Sequence, residues 1–264
     1  MWTPPVNPWD DEAVIRADLF GTERLEHHAI SLAKAQPVTH AALRVVALSA
    51  RVRDNSAVLL SAYRSCTQSL QQGQPIPPAA EWLLDNYHLV EAQIREIRED
   101  LSPGYYRQLP KLDEGPFAGY PRVFDLSWAF VAHSDSQFDP ETLRHYLVAY
   151  QSVEPLTIGE LWAVAITLRI VLVENLRRLG DQITAERQER QSADNLADDL
   201  LAPGRAHAAL FTDIATRHPG ALSEQFAAQL SKRLRDQDPR TTPALDWLEQ
   251  RLAQRRQRRD DQAG

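Results

Sequence analysis

The sequence predicts an all-α protein: an array of amphipathic helices with one long Pro/Gly/aromatic loop at about 102–122. Three observations predict it. Glycine is scarce, with 10 in 264 residues, while Leu, Ala, Arg, Glu and Gln, all good helix formers, are abundant. Apolar residues recur at helical spacing through most of the chain, and no period-two alternation is long enough for a sheet. The 17 prolines cluster between the periodic stretches, where a helix must stop. With 43% apolar and 25% charged residues the composition is that of a globular protein. The length allows one large domain or two small ones.

Residues 1–9 are Pro-rich and read as an extended N-terminal arm. Helical periodicity begins near Asp10 or Asp11 and runs through Ile15, Leu19, Leu25 and Ile30 to about Ala35. Gly21 divides this stretch into two helices, and Pro37 ends it. Thr39 is placed to cap a second helix carrying Leu43, Val46, Leu48, Val52, Leu59 and Tyr63, with Asp54-Asn55 marking a kink. Residues 73–78 form a turn-rich connector.

A third helix runs from Pro78 or Ala79 to about Leu101, with Trp82, Leu83, Tyr87, Val90, Ile94 and Ile97 on one face. Glu91 and Arg95 are an i,i+4 pair in the favourable order, worth about 0.3–0.5 kcal/mol. Over 102–122 the prolines and glycines exclude a long helix, while the rings of Tyr105, Tyr106, Phe117 and Tyr120 predict a loop packed onto the body. Helices resume over 123–134, 140–152 and 157–190. Asp139 followed by Pro140 is a helix start, and Thr157 with Glu160 has the spacing of a capping box. Short helices fill 193 to the end, closing on the polar run 251–261. The most apolar stretch, 161–173, is interrupted by Arg169. It is too short to cross a bilayer, which takes about 20 apolar residues, and reads as a core helix. The chain thus divides into the arm 1–9, a helical domain 10–190 and a looser C-terminal helical extension 191–264.

The net charge of −7 argues against nucleic-acid binding, which needs a basic surface. The single cysteine, Cys66, cannot form an intrachain disulfide and suits a reducing compartment. Its expected role is packing. The start, Met1-Trp2-Thr3-Pro4-Pro5, lacks the basic and apolar regions of a signal peptide.

Few residues carry the pattern of a reaction centre. Asp236-Gln237-Asp238 has the letters of a metal-binding Asp-x-Asp, but it follows an Arg-rich helix and precedes Pro239; a helix end is the better reading. No Gly-rich phosphate loop and no Gln-x-x-Arg-Trp motif occurs. Glu99, Asp100 and Glu160 are the acid/base candidates, although each is equally explained as a helix-face charge or a cap. The histidines have no zinc spacing, and no metal ligands are assigned. Tyr105, Tyr106, Arg107, Tyr120, Arg122 and Trp128 are the binding and interaction candidates, since aromatics and Arg dominate binding hot spots. The competing reading is that these rings pack the loop onto the helices, with hydroxyls or the Arg fork bonded nearby.

An ordered series of blocks resembles a known family. Glu81-Trp82-Leu83-Leu84-Asp85-Asn86-Tyr87-His88-Leu89-Val90-Glu91 continues through Gln93-Ile94-Arg95-Glu96-Ile97-Arg98-Glu99 into Gly104-Tyr105-Tyr106-Arg107-Gln108-Leu109-Pro110-Lys111. Before it stand Arg16-Ala17-Asp18-Leu19-Phe20-Gly21 and Arg53-Asp54-Asn55; after it come Gly119-Tyr120-Pro121-Arg122, Leu156-Thr157-Ile158-Gly159-Glu160 and Glu174-Asn175-Leu176-Arg177-Arg178. Together these resemble the region before the membrane-embedded transferase in cyclic β-1,2-glucan synthases, glycosyltransferase family 84 enzymes fused to a phosphorylase-like region.

The resemblance implies the following. Such enzymes build a β-1,2-glucan from UDP-glucose on a protein tyrosine, trim it by phosphorolysis and cyclise it to an osmoregulated periplasmic glucan. This chain corresponds to the N-terminal cytoplasmic region. UDP-glucose and a divalent metal belong to a transferase domain outside it, so no cofactor is expected here. Its expected partner is that transferase domain, in cis or in trans, and its expected place is the cytoplasm at the inner face of the inner membrane. The expected role is a scaffold and interaction module; the alternative is a stand-alone carbohydrate-active enzyme or a trans-acting regulator of glucan synthesis.

Overall fold

The structure is a computed structural model and describes residues 9, 12–39, 47–73, 76–201, 223–235, 246, 248–250 and 253. These residues are mostly helical, as the sequence predicts. The elements run α1 (Thr22–Ala35), β1 (Val38–Thr39), α2 (Leu48–Gln71), α3 (Pro78–Asp100), α4 (Pro103–Gln108), β2 (Lys111–Leu112), α5 (Arg122–His133), α6 (Pro140–Gln151), α7 (Ile158–Leu201) and α8 (Glu224–Leu234). No helix among the described residues is long and apolar enough to cross a membrane.

The chain divides into two compact units, 1–181 and 182–264. The first has an extensive core in which Tyr146, Tyr150, Phe124 and Phe130 are the largest fully buried side chains. The inner face of α7 supplies Ala163, Val164, Ile170 and Val171 to it. In the second unit Ala193 and Ala197 of α7 pack with Phe226, Leu230 and Leu234 of α8 and with Leu248. The alanines let the two helices approach closely.

Local chemistry sets several helix starts. Asp139 accepts a hydrogen bond from the Thr142 N–H at 2.8 Å, with Pro140 at the first helical position of α6. Thr157 and Glu160 form the predicted box at the start of α7: the Glu160 N–H donates to Thr157 Oγ1 at 3.2 Å, and the Thr157 N–H to Glu160 Oε2 at 2.9 Å. Ser223 caps α8 through the Phe226 N–H at 3.0 Å.

The structure departs from the sequence reading in six places, the first being that α7 runs unbroken past 190 to Leu201 instead of giving way to short helices. Residues 12–20 are not helical. Their backbone donors find other acceptors: the Ile15 N–H bonds Asn175 Oδ1 at 2.7 Å, and those of Ala17 and Phe20 bond the carbonyls of Ala132 and His133 at 3.0 Å. Thr39 lies in a strand, pairing with Lys111 as Val38 does with Leu112 in a short antiparallel ladder, and the next described helix begins at Leu48. The segment 102–122 is not all loop: Ser102 accepts from the Tyr105 N–H and Pro103 opens the short helix α4. Helix α2 is continuous through Asp54-Asn55, because Asn55 is buried and bonded rather than at a kink. Trp82, expected on the buried face of α3, is 51% exposed. Asp10, Asp11, Leu43, Val46, the Asp236-Gln237-Asp238 triplet and nearly all of 251–261 lie outside the described residues.

Candidate functional site

Two buried carboxylates on α7 organise the first unit. Glu160 meets Arg122, the first residue of α5, through both arms of the guanidinium: Arg122 Nε donates to Oε1 at 2.5 Å and Nη2 to Oε2 at 3.0 Å. Such a fork is the strongest geometry for this pair. Arg122 also bonds the Pro155 carbonyl at 2.8 Å and lies 3.3 Å from Glu154. Burial pushes the Glu160 carboxyl up, but the Arg122 fork and the Thr157 N–H outweigh it and hold the group below its ordinary value.

Glu174, also fully buried, gathers more partners. Arg51 of α2 donates from Nε and Nη2 at 2.8 and 2.7 Å, Asn55 from Nδ2 at 2.8 Å, and Arg178 from Nε at 2.8 Å. Arg178 Nη1 donates onward to the Ala13 carbonyl at 2.6 Å. Next to it, Asn175 accepts from the Ile15 N–H and donates to Ser136 Oγ at 2.8 Å. Burial again works against the Glu174 charge, and the two arginines with Asn55 more than compensate, so its carboxyl also lies low.

Beside this cluster lies a group of rings. Trp9 sits against Tyr120, Phe124 and Trp128, with centroids 5.7–6.0 Å apart, and its indole N–H donates to the Tyr120 hydroxyl at 2.5 Å. Phe117 packs on Tyr120, Phe124 and Trp128 from the loop before α5. Arg51 lies over the Trp9 ring at 4.8 Å and Arg178 over Trp128 at 5.2 Å. The guanidiniums that hold Glu174 thus also bridge to the rings.

Of the interaction candidates, Tyr120 and Trp128 come together around Trp9. Arg122 is buried on Glu160. The Tyr105 hydroxyl donates to the Gly159 carbonyl at 2.5 Å, joining α4 to the start of α7. Tyr106 is buried, and burial pushes its hydroxyl well above the ordinary value. Arg107 is exposed on α4. Among the acid/base candidates, Glu99 is exposed on α3, Asp100 pairs with Arg169 at 3.3 Å, and Glu160 is the cap and ion pair described above. No group of three or more His, Cys, Asp or Glu among the described residues is placed to hold a metal ion.

The sequence reading missed Glu174, Arg51, Asn55 and Arg178 as a cluster. A signal existed: Thr167, Val171, Glu174 and Arg178 share the inner face of α7 at helical spacing, so two charges fall on an apolar stripe. Lys111 was missed as well. Its ammonium is buried, donates to the carbonyls of Tyr106 and Leu109 at 2.6 and 2.5 Å, and closes the end of α4. Burial without a carboxylate lowers its pKa from 10.5 to about 8.

No protein-family profile matches the chain. Over 252 residues, 96% of its length, it is 34% identical to the cyclic beta-(1,2)-glucan synthase NdvB of Rhizobium meliloti (strain 1021). It spans only 9% of the length of that protein. Along nearly its whole length, then, the chain is a homologue of one segment of a cyclic β-1,2-glucan synthase, the family its sequence blocks resemble.

Proposed function

We propose that this chain is the N-terminal cytoplasmic docking module of a cyclic β-1,2-glucan synthase, a helical module that holds the glucosyltransferase domain and performs no chemistry of its own. The observation that carries the reading is the state of its buried acids. Glu160 and Glu174 are each saturated by arginine and held ionised. A general acid needs the opposite, a carboxyl raised toward neutrality and open to a cleft; Asp125 is raised by burial, but its carboxylate is occupied by Gln36 Nε2. The aromatic residues of 105–128 support the same reading, because they bond to or stack on the module's own helices.

UDP-glucose, the divalent metal and the growing glucan are placed in the transferase domain on this reading, and the membrane face is its working position. The test is deletion of this segment from a full-length synthase. Loss of assembled enzyme, or of cyclic glucan at unchanged membrane insertion, is the expected result. Normal expression and normal glucan yield after deletion would refute it. Turnover of a sugar nucleotide or glucan by the purified chain, lost on Glu160→Gln, would establish the enzyme instead.

A further inference from the structure

The outer face of α7 carries an apolar stripe that the core does not use. Ile158, Trp162, Ala165, Arg169, Leu172, Leu176 and Leu179 follow one another at alternating intervals of four and three residues, and none is buried. That interval is the seam of a helix that pairs with another helix. At about 1.5 Å per residue the stripe is about 32 Å long. Its first part protrudes: Ile158 and Trp162 are each 74% exposed. Its last part is concave: Leu172, Leu176 and Leu179 form, with Trp82, Leu89 and Val90 of α3, an apolar groove of about 470 Å³. A protrusion and a matching hollow therefore share one helix face. Exposed apolar surface on this scale marks an interaction site.

We propose that this face joins two copies of the chain, antiparallel about a two-fold axis at Arg169, with Ile158 and Trp162 of each copy seated in the α3/α7 groove of the other. Three features select a second copy as the occupant. The stripe is nearly palindromic: reversed on itself about Arg169, Trp162 falls opposite Leu176, Ile158 opposite Leu179, and small Ala165 opposite large Leu172. A two-fold contact requires this kind of self-complementarity. Both protrusions and both hollows are filled in one arrangement, which a heterologous helix would not achieve. The charges also match. Arg169 pairs with Glu96 and Asp100 at 3.2 and 3.3 Å, so the axis brings two guanidiniums among four carboxylates, each free to bond within its own copy or across. No cation is left without a counter-charge, and one charged position in an apolar seam fixes register. This inference does not rest on the docking role, and its failure would leave that role untouched.

The test is the mass of the full-length purified chain by light scattering and sedimentation across the micromolar range. A dimer is expected. Trp162→Glu and Leu176→Lys should each weaken it by about a thousandfold, because the two-fold axis places the substituted hot spot in the contact twice. Circular dichroism of each variant separates this from misfolding, and the second step does so independently. Mixing the two variants in equal amounts should restore a dimer, because Glu at 162 of one copy then faces Lys at 176 of the other while the remaining Trp162–Leu176 contact is native. A wild-type chain that stays monomeric, a dimer insensitive to both substitutions, or well-folded variants that do not recombine would each overturn the proposal.

Discussion

The two buried carboxylates of α7 look alike and do different work. Glu160 is bound by groups close by in the chain: Thr157 three residues before it, and Arg122, which is itself bonded at Pro155 and Glu154. Glu174 is bound by Arg51 and Asn55, 123 and 119 residues earlier, and through Arg178 by the backbone of Ala13. The first clamps the turn between α6 and α7 onto α5. The second ties α2, α7 and the non-helical segment 12–20 into one body. A buried ion pair is weak evidence of net stabilisation over an apolar pair, but removing one partner leaves the other charge stranded. The comparison therefore teaches where a loss would be felt: locally at Glu160, throughout the first unit at Glu174.

The largest effect should come from Glu174→Gln. It leaves two guanidiniums facing an amide, and urea unfolding should show a loss of about 3–5 kcal/mol. Hydrogen exchange should rise across α2, α7 and 12–20 together. Glu160→Ala should cost less, about 2–4 kcal/mol, because Arg122 keeps Pro155 and Glu154. Exchange should rise mainly over 152–160. Equal costs and identical exchange maps for the two variants would erase the distinction.

A third carboxylate sharpens the comparison by having no arginine. Asp125 of α5 accepts only from Gln36 Nε2, at 2.7 Å, among its described partners, and burial raises its pKa from 3.8 to about 6. The signs oppose. Glu160 and Glu174, held low, stabilise the fold above their ordinary range, and that stability is lost as pH falls through their folded values. Asp125, held high, favours the fold while protonated, and that contribution is lost as pH rises from about 4 to about 6. Asp125→Asn should remove this loss and raise stability at neutral pH by on the order of 1–3 kcal/mol. Thermal melts across that window check it; an unchanged slope would put the Asp125 carboxyl at its ordinary value.

The smallest effect lies on the helix that carries both clusters. Gly180 is in α7, and a Cβ there would meet Ala62 Cβ at 3.7 Å and Leu59 Cδ2 at 3.8 Å, ordinary contact distances. Gly180→Ala should stabilise by about 0.5–1 kcal/mol, the helix-propensity difference. A destabilised variant would mean that α2 and α7 pack more closely at Gly180 than these distances.

The same contrast explains what was legible in the sequence. The Thr157/Glu160 box and the Asp139-Pro140 start depend on residues three apart, and both were read correctly. The partnership of Glu174 with Arg51 and Asn55 depends on a fold that brings distant helices together, and no local pattern announces it. Asn55, a weak helix former by local pattern, is held mid-helix by Glu174. Residues 12–20 have helical periodicity, yet Asn175 and the carbonyls of Ala132 and His133 take the N–H groups of Ile15, Ala17 and Phe20 in a non-helical path. Trp82 fits a helical face by spacing alone; that its neighbours leave it at the rim of a groove is a tertiary fact.

The seat of Trp9 gives the protein an optical gauge. Its indole lies within the ring cluster under Arg51, with Trp128 beside it, whereas Trp82 and Trp162 face solvent. Iodide in solution should quench the second pair far more readily than the first. Displacement of Trp9 from this seat would therefore register as an increase in the quenchable share of emission while the far-ultraviolet signal of the helices stays level.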